Sequence, residues 1–306
     1  MSQFDVVILT ESRYLNPKEV NDYIQNILTE DELLKDALER LGLSVTRKDW
    51  ADPFFDWSTT KCAVFRATWD YFDRFDEFKS WLNQVESQTM FINPISQIRW
   101  NMDKWYLSDL ADQGIHVVET HYIEKGATES LSDCISETGW KEIILKPTIA
   151  GAARHTYRLN SENMEELEPV FRNLIENEDM MLQPFQHNIM TKGEISFIVI
   201  GGRYTHSVLK KGKKGDFRVQ DDFGGTLHEY QPSPEEIAFA EEVAKSCTPL
   251  PAYARIDVMW DNEGQLAVSE VELVEPELWF RRNKKAAELL AESIAEKISE
   301  KLFFKK

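Results

Sequence analysis

Two segments near the C-terminus, Tyr253-Ala-Arg-Ile-Asp-Val-Met-Trp260 and Leu266-Ala-Val-Ser-Glu-Val-Glu-Leu273, carry carboxylates inside what their alternation marks as half-buried strands. The turn Asp261-Asn-Glu-Gly264 between them predicts an antiparallel hairpin with a four-residue loop. That register sets Trp260 opposite Gln265, Arg255 opposite Glu270 and Asp257 opposite Val268. Asp257 and Glu270 then become diagonal neighbours on one face, about 7–8 Å apart at the backbone, and alternation brings Glu272 to the same face. Three carboxylates converging beside Arg255 need a cation. Magnesium is the natural candidate, because it prefers oxygen ligands and is commonly held by carboxylates together with substrate phosphates. The alternative is a solvated sheet face with an Arg255–Glu270 cross-strand pair, in which Asp257 and Glu272 are incidental.

Charge narrows the class of partner. Against 35 Lys and Arg stand 53 Asp and Glu, a net charge of −18, which repels polyanions and argues against a nucleic-acid surface. With 306 residues, 42% hydrophobic, the chain is long enough for two or three packed domains. No apolar run approaches the roughly 18 residues of a membrane span, no signal segment is evident at the N-terminus, and Cys62, Cys134 and Cys247 share no metal or redox spacing. A cytoplasmic setting is expected. In so acidic a chain the run Lys210-Lys-Gly-Lys-Lys-Gly215 stands out, either as a site for a small anion or as a solvated loop.

The first hundred residues alternate strand and helix signals. Val6–Leu9, Ser44–Thr46, Ala63–Phe65 and Met90–Ile92 read as strands. A capping box at Thr29-Glu-Asp-Glu32 opens a helix that stops at Gly42, and a second helix covers Glu77–Val85. This rhythm predicts a small open parallel sheet, whose ligand side lies beyond the carboxyl ends of its strands. There the Ala63–Phe65 strand runs into Arg66-Ala-Thr-Trp-Asp-Tyr71, a cation, a hydroxyl, a carboxylate and two aromatics suited to substrate recognition. A plain surface loop with an Arg66–Asp70 pair is the alternative.

Further along, Asn101 caps a helix carrying Lys104, and a strand follows at His116–Thr120. The strand Glu142-Ile-Ile-Leu-Lys-Pro147 ends in Lys146, a lysine that needs a counter-charge there. It leads into Thr148-Ile-Ala-Gly-Ala-Ala-Arg-His-Thr156, whose small residues around Gly151 let backbone amides approach a phosphate, though it matches neither common phosphate-loop pattern. A last amphipathic helix from about Lys284 to Leu302 reads as packing.

The order of these features resembles the ATP-grasp superfamily. Lys104, Lys146 before a small-residue loop, Gln183-Pro-Phe185, Glu194, Gly215-Asp-Phe-Arg-Val-Gln220, Asp257 and Glu270-Val-Glu272 follow its sequence of motifs. Within it the chain is similar to the prokaryotic glutathione-synthetase-type proteins, most closely the branch containing the D-cycloserine (O-ureidoserine) cyclo-ligase. That branch carries sequences like Arg66-x-Thr-Trp-Asp-Tyr71, Trp100-Asn-x-Asp-Lys104 and Glu272-Leu-Val-Glu-Pro276. The resemblance implies an α/β and α+β architecture. An N-terminal open parallel α/β domain over 1–96 would lie on the substrate side, with one ATP-grasp lobe over 97–185 and a second over 186–306 that holds the magnesium site and the C-terminal helix.

The resemblance also implies roles. Lys104, Lys146, Gly151 and Lys210 would meet the ATP phosphates, Gln183, Pro184 and Phe185 the adenine edge at a hinge, and Glu194 the ribose. A large loop over about 210–225 would bring Arg218 over the γ-phosphate, with Arg218, Lys146 and Arg255 as the catalytic cations. Asp257, Glu270 and Glu272 would bind one or two Mg²⁺, with Mn²⁺ able to substitute. Arg66, Thr68, Trp69, Asp70 and Glu275 would grip the substrate. Glu272 departs from glutathione synthetase, which has Asn there. The extra charge would hold a second ion more tightly or need more compensation from Arg218 and Arg255, and it argues against glutathione synthesis. The implied reaction joins a small-molecule carboxylate to an amine through an acyl phosphate, on an amino-acid-like substrate that could cyclise, while homo-oligomerisation stays open. The alternatives are a kinase-like phosphotransferase and an ATP-binding regulatory module without turnover.

Overall fold

A computed structural model describes residues 3–219 and 223–303. Three sheets organise them. The first contains β1 (Phe4–Thr10), β2 (Val45–Asp49), β3 (Thr60–Phe65) and β4 (Met90–Ile92), all parallel, in the order β2-β1-β3-β4. The second, antiparallel, contains β5 (His121–Ile123), β6 (Ile143–Pro147), β7 (Tyr157–Leu159) and β8 (Met180–Pro184) in the order β5-β8-β6-β7. The third, also antiparallel, contains β9 (Glu194–Ile200), β10 (Arg203–Lys211), β11 (Thr226–Glu229), β12 (Tyr253–Trp260) and β13 (Leu266–Glu272) in the order β11-β10-β9-β12-β13. Among the described residues, no helix is long and apolar enough to cross a membrane.

Alternation on the first sheet divides its side chains between two cores. Val7, Leu9, Ala63 and Phe65 meet an aromatic layer of Trp50, Phe78 and Trp81. Val6, Ile8, Cys62 and Val64 pack with Leu34 and Leu38 of helix Asp22–Arg40 and with Leu290, Ala291 and Ile294 of the last helix, Lys284–Phe303. That last helix therefore belongs as much to the first sheet as to the third. The first of these helices begins at Asn21, whose side chain accepts the Ile24 N–H, so the capping box expected at Thr29 does not open it. Thr29 lies inside the helix and turns its hydroxyl onto the Gln25 carbonyl.

The hairpin of β12 and β13 forms, but in another register. Asp261 and Gln265 close the turn, leaving three loop residues with Gly264 at φ 81°, as a three-residue hairpin loop ending in a left-handed glycine requires. Trp260 thus faces Leu266, and Val258 faces Val268. A bulge then shifts the pairing, so that Asp257 faces Glu270 and Arg255 faces Glu272. Ser269 is the extra residue.

Because β13 is an edge, its outer backbone needs partners from elsewhere. The expected strand at 116–120 contributes only one bridge there, Val117 to Val268. Beyond it, the Val271 N–H donates to the Tyr106 hydroxyl, the Asn101 amide donates to the Val271 carbonyl at 2.8 Å, and Leu273 N–H donates back to Asn101 at 2.7 Å. Asn101 ends helix Ile95–Asn101 instead of capping a new one, and Lys104 lies in the turn before helix Tyr106–Asp112. Asn101→Ala leaves two buried backbone groups of β13 unmet and is expected to lower stability by roughly 2–4 kcal/mol, read as a fall in the urea midpoint at unchanged slope.

Candidate functional site

The bulge decides which side chains of the hairpin face outward together. Arg255, Asp257 and Met259 alternate onto one face of β12, while Ile256 and Val258 enter the core beneath. The extra residue Ser269 resets the alternation of β13, so Glu270 and Glu272 join that face and Val271 turns inward. Carboxylate oxygens of Asp257, Glu270 and Glu272 come within 4.8 Å of one another, and this is the only such group of potential metal ligands among the described residues.

Asp257 is 1% exposed, which is tolerable only with full pairing. Its oxygens accept from Arg255 Nε at 3.0 Å and Nη2 at 2.9 Å, from Lys210 Nζ at 2.8 Å and from Ser196 Oγ at 2.5 Å. Burial works to raise this carboxyl, but Arg255 and Lys210 outweigh it and hold it far below the usual range. Lys210 also pairs with Glu194 at 2.6 Å, and Ser269 Oγ donates to the other Glu194 oxygen. Glu194 opens the central strand β9 and is buried, so it is not an exposed edge acid. Arg255 additionally pairs with Glu272. Burial pushes Glu272 up to about 7, with Arg255 opposing and Glu270 and Asp257 reinforcing the rise.

Across the cleft stand two lysines. Lys104 Nζ donates to the Ala150 carbonyl at 2.6 Å and pairs with Glu270 at 3.1 Å. Burial would raise Glu270, but Lys104 and Lys146 bring it below its ordinary value. Lys146, near the end of β6, has no ion pair among the described residues, and burial with Lys104 nearby lowers it to about 8. The loop after it is tightly placed. Ala152, Ala153 and His155 adopt φ of 49°, 55° and 49°, and a side chain at Gly151 would meet the Phe72 ring at 2.6 Å. Arg154 pairs with Glu178 at 2.7 Å.

These groups line one cleft of about 620 Å³ that also takes in Gly151, Gln183, Pro184 and Phe185. Gln183 Nε2 donates to the Thr120 hydroxyl, while the Phe185 ring packs on Phe217 and under the Arg158 guanidinium at 3.8 Å. Arg218 reaches the cleft wall but is held by Asp216 at 2.7 Å and stacks over Phe223. Lys210 and Lys211 finish β10, so the loop starts after them. Gln220 of the expected motif lies outside the described residues.

The substrate-side expectations divide. Trp69 and Glu275 line the cleft, whereas Arg66, Thr68 and Asp70 do not. Asp70 is occupied by Trp50 Nε1 and Arg74, both at 2.7 Å, and Arg66 is buried over the Phe280 ring. The Arg66–Asp70 pair of the alternative surface-loop reading does not form either, and Arg74 supplies the cation to Asp70. Sequence reasoning missed Ser196 and Ser269. Ser196 could have been found two residues after Glu194 on the same strand face, but nothing in the sequence marks Ser269 as a bulge. Lys210→Met would strip the cation shared by Glu194 and Asp257, and is expected to lower stability by about 3–5 kcal/mol, measured by thermal or urea unfolding.

Comparison with known proteins gives a consistent result. Residues 6–93 match the D-cycloserine synthetase DcsG N-terminal domain family, and residues 102–293 match the RimK-like ATP-grasp domain family. The cycloserine biosynthesis protein DcsG of Streptomyces lavendulae is 29% identical over 263 residues, spanning 80% of this chain and 86% of that one. The crystal structure of D-cycloserine synthetase DcsG superposes with a TM-score of 0.84 at 25% identity, over 96% of this chain and 99% of the other. An ATP-grasp RimK domain protein from Sphaerobacter thermophilus DSM 20745 has the same fold, with a TM-score of 0.67 at 16% identity over 94% and 98% of the two chains.

Proposed function

The chain belongs to the RimK-like ATP-grasp family and is an ATP-dependent ligase; we propose that it joins a carboxylate to an amine through an acyl phosphate, acting on a small amino-acid-like substrate. The observation that carries this reading is the confrontation, across one cleft, of Lys104 and Lys146 with the convergent acids Asp257, Glu270 and Glu272. Two lysines, one without a counter-ion, suit an incoming polyphosphate. Three carboxylate oxygens within 4.8 Å of one another are hard donors of the kind that hold Mg²⁺ or Mn²⁺. The donor set fits one or two such ions, which would supply charge neutralisation for phosphoryl transfer.

In this reading the substrate carboxylate oxygen attacks the γ-phosphorus in line, and ADP departs. Lys104 and Lys146 offset the charge gathering on the phosphoryl oxygens. Gln183–Phe185 and Glu194 hold the nucleoside, with Phe185 already braced by Arg158 and Phe217. Arg218 exchanges Asp216 for the γ-phosphate as the segment after β10 that carries it covers the site and excludes water from the acyl phosphate. An amine, on a second molecule or at the other end of the same one, then attacks the acyl carbon, a C–N bond forms and phosphate leaves. Arg255, paired with Asp257 and Glu272, would offset the charge that develops on the acyl oxygen.

The similarity to the cycloserine biosynthesis protein DcsG over 80% of this chain favours a small amino-acid-like substrate and admits ring closure. Division into an N-terminal domain over 1–96 and ATP-grasp lobes over 97–185 and 186–306 is consistent with the three sheets. Cys62, Cys134 and Cys247, all buried and none in a disulfide, suit a cytoplasmic enzyme.

Mg²⁺-dependent release of ADP and phosphate across small amino acids and their derivatives, with and without an added amine, tests the reading when products are weighed by mass spectrometry. Substrate-dependent ADP with the mass change of a condensation is expected. A product heavier by one phosphoryl group would make the protein a kinase, and ATP binding without turnover across the panel would leave a regulatory module. A further expectation concerns pH. Lys146 is protonated below about 8 and loses its charge above it, so ATP affinity should fall as pH rises through that value. The fall should vanish in Lys146→Met, as ATP titrations from pH 7 to 9.5 would show.

A further inference from the structure

Beyond the acid cluster, the cleft runs on between Glu275 and an aromatic wall of Tyr14, Tyr23 and Trp69. Glu275 is 9% exposed, yet its carboxylate has no ion pair or hydrogen bond among the described residues. Its neighbours differ in this respect. Asp257 and Glu194 share Lys210, Glu270 has Lys104, Glu272 has Arg255, and Glu277 has Arg281 at 2.6 Å. Arg13, the cation that lines this end of the cleft, is taken by Glu11 at 2.8 Å.

An unpaired carboxylate removed from water is costly unless a ligand completes it. The aromatic wall is fastened to the same segment, because Trp69 Nε1 donates to the Glu275 main-chain carbonyl at 2.8 Å. Tyr14 and Tyr23 brace that indole, with ring centroids 5.7 and 6.2 Å away. A carboxylate lacking a partner, set beside an electron-rich indole, is the chemistry that selects an organic cation over a neutral group.

We propose that Glu275 and Trp69 form a subsite for the ammonium group of a small amino-acid substrate. The carboxylate accepts the ammonium N–H donors, and the indole face covers their alkyl side. This names the substrate class for the ligase reading and rests on it only in setting the subsite beside the phosphate end of the cleft. Binding of the ammonium group requires no turnover.

The test is calorimetric titration of the full chain with D- and L-serine and their O-methyl ethers, each against the matching 2-hydroxy acid. At least one amino acid should bind about tenfold or more tighter than its hydroxy counterpart, the effect of one charge-assisted contact. Glu275→Gln should bring the two within about twofold, and Glu275→Asp should keep part of the preference. Unchanged ATP binding and melting temperature would certify both variants as folded. Equal affinity for amino and hydroxy acids, a Gln variant with the wild-type preference, or no binding of any amino acid would overturn the subsite. ADP release in the same samples separates the two readings. With Mg²⁺ and ATP added, turnover insensitive to Glu275→Gln keeps the ligase reading and removes the subsite, whereas ammonium-selective binding without ADP release keeps the subsite and removes the acyl-phosphate reading for that amino acid.

Discussion

One extra residue in an edge strand sets the parity of the whole acidic face. If Ser269 paired regularly, the register of Val258 with Val268 would continue evenly, Glu270 would face Ile256 and Glu272 would face Ala254, and both acids would point into the apolar layer of Phe197 and Ile256. Glu270 and Glu272 can share a face with Asp257 only because the bulge spends a residue there. Ser269 is not idle in that position. Its hydroxyl bonds both the Asp257 carbonyl and the Glu194 carboxylate, tying three strands at the point where the ladder breaks.

Charges so close together would repel one another out of the fold if left alone. They are held by cations from different directions: Lys210 from β10, Arg255 from β12 itself, and Lys104 from the turn that docks over β13. The face is therefore nearly neutralised before any ligand arrives. Asp257 already accepts from three different side chains, so an arriving dication competes with Lys210 and Arg255 for it, whereas Glu270 and Glu272 are less committed. Distribution of the cations over separate elements also means that the face is complete only when the turn carrying Lys104 has docked on the third sheet.

Much of this was legible in the sequence because hairpin, alternation and acid spacing are local properties. Asp257, Glu270 and Glu272 announce a shared face even from a wrong register, since the two shifts, one at the turn and one at the bulge, move pairings by one and two positions without separating the acids. What failed was non-local. The helix at Asp22 starts seven residues before the capping signal at Thr29 because Asn21 offers an equally good cap and the apolar stripe reaches back to Ile27. Asn101 looks like a cap because Asn commonly is one, yet the open edge of β13 claims its amide. Asp70 looks free beside Arg66 until Trp50 and Arg74, brought in by the fold, occupy it.

The helix Lys284–Phe303 closes a core begun by Val6 and Ile8. On a ribosome, that face of the first sheet emerges early and is covered only in part, by helix Asp22–Arg40, until residues near 298 have been made. Nearly three hundred residues of chain thus separate the halves of one apolar layer. Assembly is a long-range closure, slow relative to local helix formation and exposed to association while it waits. A chain interrupted before residue 284 would carry every cleft side chain named above and still lack the last helix over its first sheet.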